Sequence, residues 1–250
     1  MEETAATSSF KIILGSSSVA RRKILADMGY EFTVMSADID EKGIRMENPE
    51  ELVMALAEAK ASAVVSKLRT IDNQAKDDKQ TLVIASDTVC DYVFGEYFLI
   101  SEELKEEAIT PELAIGDHKK NAEPTLLLTC DQVVVYEGII REKPSNKEEA
   151  RQFIKGYSGA RAATVSSVLV TNLSTGFKKG DWDRVEIYFH DIPDHIIDNL
   201  IEEGTVLYVA GGLIIEHPLV LPYIKNVVGT TDSVMGLPKA LTERLIREAL

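Results

Sequence analysis

Apolar positions along this chain recur with two spacings, one near 2 and one near 3.6, and the interleaving of the two predicts strands and helices mixed around one sheet. Ile12 to Leu14 form an apolar, β-prone run that Gly15 breaks. Ile24, Leu25 and Met28 then recur at helical spacing, so a short buried strand feeds a helix through Ser16, Ser17 and Ser18. Tyr30 to Met35 alternates like a second strand. Residues 49–67 read as a helix, with Pro49 near its start, Glu50 and Glu51 in the first turn, and Leu52, Leu56, Ala59 and Ala63 along one stripe. Residues 69–80 are polar and charged and read as a loop.

The second half is more sharply punctuated. Thr125 to Tyr136 is a buried-type strand, Glu137-Gly138 a turn, and Ile139 to Pro144 an extended segment that holds Lys143 in a pre-proline conformation. Ser145 with Glu148 has the spacing of a capping box, for a helix to about Lys155 closed by Tyr157-Ser158-Gly159. Strands follow at Ala162 to Thr171, rich in Val, Thr and Ser, and at Arg184 to His190, with a polar connection over 172–181. Pro193 opens a helix through Glu203, Gly211-Gly212 marks a bend, and Lys239 to Leu250 is a final helix.

One feature breaks this regularity. Thr81-Leu-Val-Ile-Ala-Ser-Asp87-Thr-Val-Cys-Asp-Tyr92 is echoed at a constant offset of 44 by Thr125-Leu-Leu-Leu-Thr-Cys-Asp131-Gln-Val-Val-Val-Tyr136. Each run is a core-type strand with an aspartate in its middle. An unpaired carboxylate in such a strand costs several kcal/mol unless a partner or a metal compensates it. Between them, 93–122 is acidic and weakly patterned, with a short helix indicated around 101–109.

The 250 residues, 45% hydrophobic, suffice for one large α/β domain or two lobes sharing a sheet. The net charge of −14 argues against a nucleic-acid-binding surface. An anionic small molecule would need a local cationic pocket or a divalent cation. Met1 to Thr7 is acidic without an apolar core, and no apolar run approaches the length of a membrane span. Two cysteines, Cys90 and Cys130, suit a reducing compartment, so a cytoplasmic protein is expected, with no nucleic-acid or membrane partner.

Three local patterns carry chemistry. The serine turn before the first helix offers orphan backbone N–H donors, and Arg21 one turn in can lean over them, which makes a phosphate site; a plain helix cap beside a solvated basic run, Arg21-Arg22-Lys23, accounts for the same residues. Asp38, Asp40 and Glu41 at a strand exit suit a cation or a solvated acidic loop. Lys60, beside the apolar stripe of its helix, either snorkels to solvent or enters a cleft as a phosphate ligand.

Taken in order, Ser16-x-Ser18-x-x-Arg21, Asp40-Glu41, Ala57-Glu-Ala-Lys60-Ala61, Asp131-Gln-Val-Val134, Lys143-Pro144, Glu148-Glu-Ala150, Ser158-Gly159, Ala210-Gly211 and Val227-Val-Gly229 with Met235-Gly-Leu-Pro238 resemble the Maf family of nucleotide pyrophosphatases over nearly the whole chain. The resemblance implies a homodimeric α/β protein with an elongated mixed central sheet, flanking helices and two lobes around a cleft. It implies hydrolysis of nucleoside triphosphates between the α and β phosphates, to the monophosphate and pyrophosphate, with Mg²⁺ or Mn²⁺. On this basis Arg21, Lys60 and Lys143 would hold the triphosphate with Ser16 and Ser18. Glu41 and Asp131 would carry the metal, and Asp131 would also orient or deprotonate the attacking water.

Departures from the family pattern bear on the base. Branches that take dTTP and UTP carry a second arginine where this chain has Ala20, a threonine where it has Gln132, and a glutamine near Glu216. Gln132 and Glu216 look more like the branch that takes 7-methyl-GTP. The echo is a further departure. Removing 44 residues would restore one continuous motif, so a single domain over 1–250 is expected, with an insertion of about that length within 82–131 and Asp131, followed by Lys143 twelve residues on, in the site rather than Asp87. A catalytically silent nucleotide-binding or regulatory protein, its cleft disturbed by the insertion, is the alternative.

Overall fold

The computed structural model describes residues 10–77 and 124–250. The chain divides into two compact units, residues 1–64 with 121–250, and residues 65–120. The first unit holds every element discussed below except the end of helix α2, which runs past residue 64. In chain order the elements are β1 (Lys11–Leu14), α1 (Val19–Asp27), β2 (Phe32–Val34), α2 (Pro49–Asp77), β3 (Thr125–Tyr136), β4 (Ile139–Arg141), α3 (Lys147–Tyr157), β5 (Arg161–Asn172), β6 (Lys178–Phe189), α4 (Asp194–Glu203), β7 (Ile224–Val228), α5 (Thr231–Val234) and α6 (Lys239–Ala249). A short 3-10 turn at Glu41–Gly43 leads toward α2.

The seven strands form one mixed sheet in the order β2-β1-β3-β5-β6-β7, with β4 attached to β3. Strand β1 is parallel to β2 and β3, and the remaining pairs are antiparallel. This is the mixed central sheet with flanking helices that the sequence implies. Strand β3 is its axis. One edge pairs with β5 from Leu126 to Val135. The other edge pairs with β1 only as far as Leu128 and with β4 only from Val134. Among the described residues, 129–133 therefore lie in a gap between two partners, just past the carboxyl end of β1, where open sheets with parallel strands place their ligand crevices.

Both faces of β3 are covered, which explains its near-continuous apolar reading. Leu126, Leu128 and Cys130 pack with α1 and α6 through Ile24, Leu25, Leu241 and Leu245. Val133 and Val135 point the other way, toward Leu52, Val53 and Leu56 of α2. A third cluster joins α3 and α4 to β5 and β6, with Tyr157, Ile197 and Leu200 at its centre.

Several boundaries differ from the sequence reading. Helix α2 continues to Asp77 rather than stopping at 67, because no Gly or Pro interrupts residues 50–80 and polar helix formers carry it on. The cap of α3 is Asn146, which accepts the Glu149 amide, rather than Ser145; the side chain of Glu149 reaches back to accept the Ser145 N–H. Strand β6 begins at Lys178 instead of Arg184, since its polar first half lies on an exposed stretch that carries no apolar signal. Asp87 and the whole 81–92 echo, with the segment 93–122, lie outside the described residues.

Candidate active site

The gap on β3 collects the chemistry. Side chains alternate along the strand, so Thr129 and Asp131 face α2 with Val133, while Cys130 and Gln132 face the opposite side. Lys60 leaves α2 one turn past Ala57, and its ammonium donates to Asp131 Oδ2 at 2.6 Å and lies 2.8 Å from Glu41 Oε1. The side chains of Lys60 and Asp131 are each only 12% exposed, so this is a largely desolvated pair, whereas Glu41 is nearly half exposed. The other oxygen of Asp131 accepts the Gln132 amide at 2.6 Å. Lys60 thus enters the site rather than solvent, and its one positive charge is shared between two acids.

Buried hydroxyls hold this arrangement. Ser167 on β5 accepts the Asp131 amide at 3.1 Å and donates to the Val53 carbonyl of α2 at 2.7 Å. Thr129 donates to the Ala57 carbonyl at 2.9 Å. Both are fully buried, and together they fix how far α2 stands from the sheet, and hence Lys60 from Asp131. Neither was singled out from the sequence. The signal that could have found them is a hydroxyl inside an otherwise apolar core strand.

The serine turn stands beside the acids. Ser16 Oγ accepts from the Ser18 amide at 3.2 Å and from Arg21 Nη1 at 3.3 Å, and Ser18 Oγ caps α1 by accepting the Arg21 amide. Arg21 Nη1 also donates to the Cys130 carbonyl at 3.2 Å, on the open edge of β3, and its Nε donates to the Gly236 carbonyl at 2.9 Å. The guanidinium therefore closes the sheet edge next to Asp131 while remaining half-buried at the start of α1. The serines serve as caps and, in the same geometry, present the first turn of α1 to the site.

Charge ties the remaining cation to the cluster. Burial alone would raise the Glu41 pKa, but the hydrogen bond and charge of Lys60, reinforced by Lys143 and Arg21, hold it below its ordinary value. All three basic residues expected at the site act on one carboxylate. Burial likewise pushes the Cys130 thiol up to about 11 despite Arg21 and Lys60, so this cysteine is an inert core residue.

Two expected residues stand apart from this cluster. Gln132 donates its side-chain amide to Ser166 Oγ at 2.8 Å and to the Ser233 and Val234 carbonyls at 3.1 and 2.8 Å, on the far face of the sheet. Glu216 is exposed, and among the described residues no contact joins it to Lys60 or Asp131. No group of three or more His, Cys, Asp or Glu among the described residues is arranged to hold a metal ion. Two carboxylates within 2.8 Å of one nitrogen nevertheless suit a hard cation that brings its remaining oxygen ligands on a polyphosphate.

Fold and site together define an α/β protein with an acid pair, a lysine and a serine-lined helix start gathered at a break in one sheet edge. The chain belongs to the Maf family: the model of Maf-like proteins matches residues 11–99 and 97–249. It is 32% identical to a 7-methyl-GTP pyrophosphatase of Dictyostelium discoideum over 237 residues, covering 95% of this chain and 96% of the relative. It is 24% identical to a dTTP/UTP pyrophosphatase of Alkaliphilus metalliredigens, covering 91% and 90%. A nucleoside triphosphate pyrophosphatase of Salinispora tropica is also 24% identical, with 95% and 83% covered. No helix among the described residues is long and apolar enough to cross a membrane.

Proposed function

We propose that this chain is a nucleoside triphosphate pyrophosphatase whose reacting centre is the Glu41-Lys60-Asp131 cluster. The observation that carries the reading is the ammonium of Lys60 shared between the two acids, in a gap of the sheet that Arg21 and the start of α1 border. A triphosphate lying there would meet the first turn of α1 and the charges of Arg21, Lys60 and Lys143. Asp131 would orient water and take its proton as the water oxygen bonds to the α phosphorus and the bond from that phosphorus to the bridging oxygen breaks, releasing pyrophosphate. Glu41 and Asp131 would hold the divalent cation, which neutralises charge developing on the phosphates. Lys60, which holds the two acids in this structure, would also be within reach of a bound phosphate.

For the base, a 7-methylated guanine is the better supported choice. The carboxylate of Glu216 suits a cationic purine, and the relative named for 7-methyl-GTP shares more identity with this chain than those named for dTTP and UTP. Gln132 would act there indirectly, by fixing the turn at Ser233 and Val234. The same proposal takes the protein as a homodimer, and residues within 82–131 as an insertion into a single domain. Support for the insertion comes from the sequence echo, residues 81–92 repeated at 125–136 with an offset of 44.

The test is a panel of triphosphates, 7-methyl-GTP beside UTP and dTTP, incubated with Mg²⁺ or Mn²⁺ with and without EDTA and assayed for pyrophosphate. Turnover that chelation abolishes supports the proposal. Binding without turnover in the presence of metal supports the silent regulatory alternative.

A further inference from the structure

Outside the reacting cluster, one side chain joins its two banks. Arg45 Nη1 donates to the Ile44 carbonyl at 3.0 Å, to the Glu41 carbonyl at 3.4 Å and to Glu142 Oε1 at 2.8 Å. The first two acceptors belong to the turn that carries Glu41. The third lies 97 residues away, immediately before Lys143.

The two banks are anchored unequally. The bank of Lys143 is fixed: the Arg141 guanidinium lies over the rings of Tyr136, Phe153 and Tyr157 at 4.1 to 4.9 Å, the Glu142 carbonyl accepts the Gly211 amide at 2.8 Å, and Pro144 is buried. The bank of Glu41 is a single exposed 3-10 turn with no side-chain cap, held inward by Ile39, Ile44 and the ion pair to Lys60. Any ligand that draws Lys60 toward phosphate weakens that last tie.

We infer that Arg45 and Glu142 form a latch that sets the separation of the Glu41 carboxylate from Lys143, and so act as positioning residues for a polyphosphate bound between them. The inference rests on the pyrophosphatase reading of the site. The pair is exposed, so its contribution to overall stability is small. Its effect is local, keeping the Glu41 turn in register with the anchored segment that follows β4 when Lys60 changes partners.

The experiment is a double-mutant cycle with R45A, E142A and the double variant, read by KM and kcat and, independently of turnover, by calorimetric binding of an α,β-methylene nucleoside triphosphate. Each single variant is expected to raise KM and the analogue Kd about fourfold, with kcat within about twofold of wild type and thermal unfolding unmoved. The double variant is expected to lose no more than either single one, because each substitution opens the same latch. Single variants whose KM and Kd match wild type, or a double variant whose loss is the product of the two, overturn the inference. A wild-type chain that binds no analogue overturns the functional reading and the latch together. Wild-type binding that R45A and E142A leave unchanged overturns the latch alone.

Discussion

Lys60 Nζ stands 2.6 Å from Asp131 Oδ2 across the interface of α2 and the sheet, and both side chains are almost fully enclosed. A charge so placed depends on its partner, since removing one member leaves the other buried and unpaired. Lys60→Met is therefore expected to destabilise the chain by about 3 kcal/mol. Urea denaturation checks this, and adding Asp131→Asn to the Lys60→Met chain should restore part of the loss. Equal stability of wild type and Lys60→Met would mean the pair is solvated.

Glu41 links stability to pH. Its pKa is lowered in the folded chain, so the folded chain binds fewer protons there than the unfolded one. The resulting stabilisation is fully present above the ordinary value of 4.5 and disappears as pH falls through the lowered folded value. Comparing wild type with Glu41→Gln by thermal unfolding across this range should show a gap that narrows below pH 4.5. A gap that widens on acidification would contradict the charge arrangement.

Ser167 tests the spacing of helix and sheet. Its hydroxyl serves the Asp131 amide and the Val53 carbonyl at once, and both are buried. Ser167→Ala leaves the buried Asp131 amide without this partner, removes a second bond to the Val53 carbonyl of α2, and should cost about 1–3 kcal/mol. It should also lower kcat, because the Lys60 to Asp131 distance is no longer pinned. A fall in stability with unchanged kcat would separate the two roles and refute the positioning argument.

Gly236 does the same for Arg21. Its φ of +96° lies in the left-handed region, and a Cβ there would sit 3.1 Å from Arg21 Nε. Gly236→Ala must strain the backbone and push on the guanidinium that its own carbonyl now holds. The expected outcome is a rise in KM for the triphosphate larger than that of Gly176→Ala, whose added Cβ would have nothing within 4 Å at a comparable φ of +76°.

Much of this was legible in the sequence because local rules and burial agree there. Strand β3 was readable over its whole length, since apolar side chains cover it on both faces, and the Glu137-Gly138 turn and the Gly204 helix stop follow from left-handed backbone positions at 50°, 79° and 80°. Lys60, Asp131 and Glu41 were found as candidates through acids and a lysine beside apolar patterns, and the family motifs put them in order. What the sequence did not disclose is what depends on register between distant strands. That Thr129 and Ser167 reach α2, that Gln132 reaches Ser166 and Ser233, and that Arg45 meets Glu142 are consequences of three-dimensional pairing. No periodicity within one segment encodes them.

The role proposed for Asp131 in the hydrolysis is tested most directly by product analysis by ³¹P NMR on wild type and Asp131→Asn, each shown to bind an α,β-methylene triphosphate. Wild type with Mg²⁺ should give the monophosphate and pyrophosphate in equal amounts, and Asp131→Asn should lose about 10²–10⁴ in kcat while still binding the analogue. Orthophosphate as the first product, or an Asp131→Asn chain that turns over as fast as wild type, would contradict it.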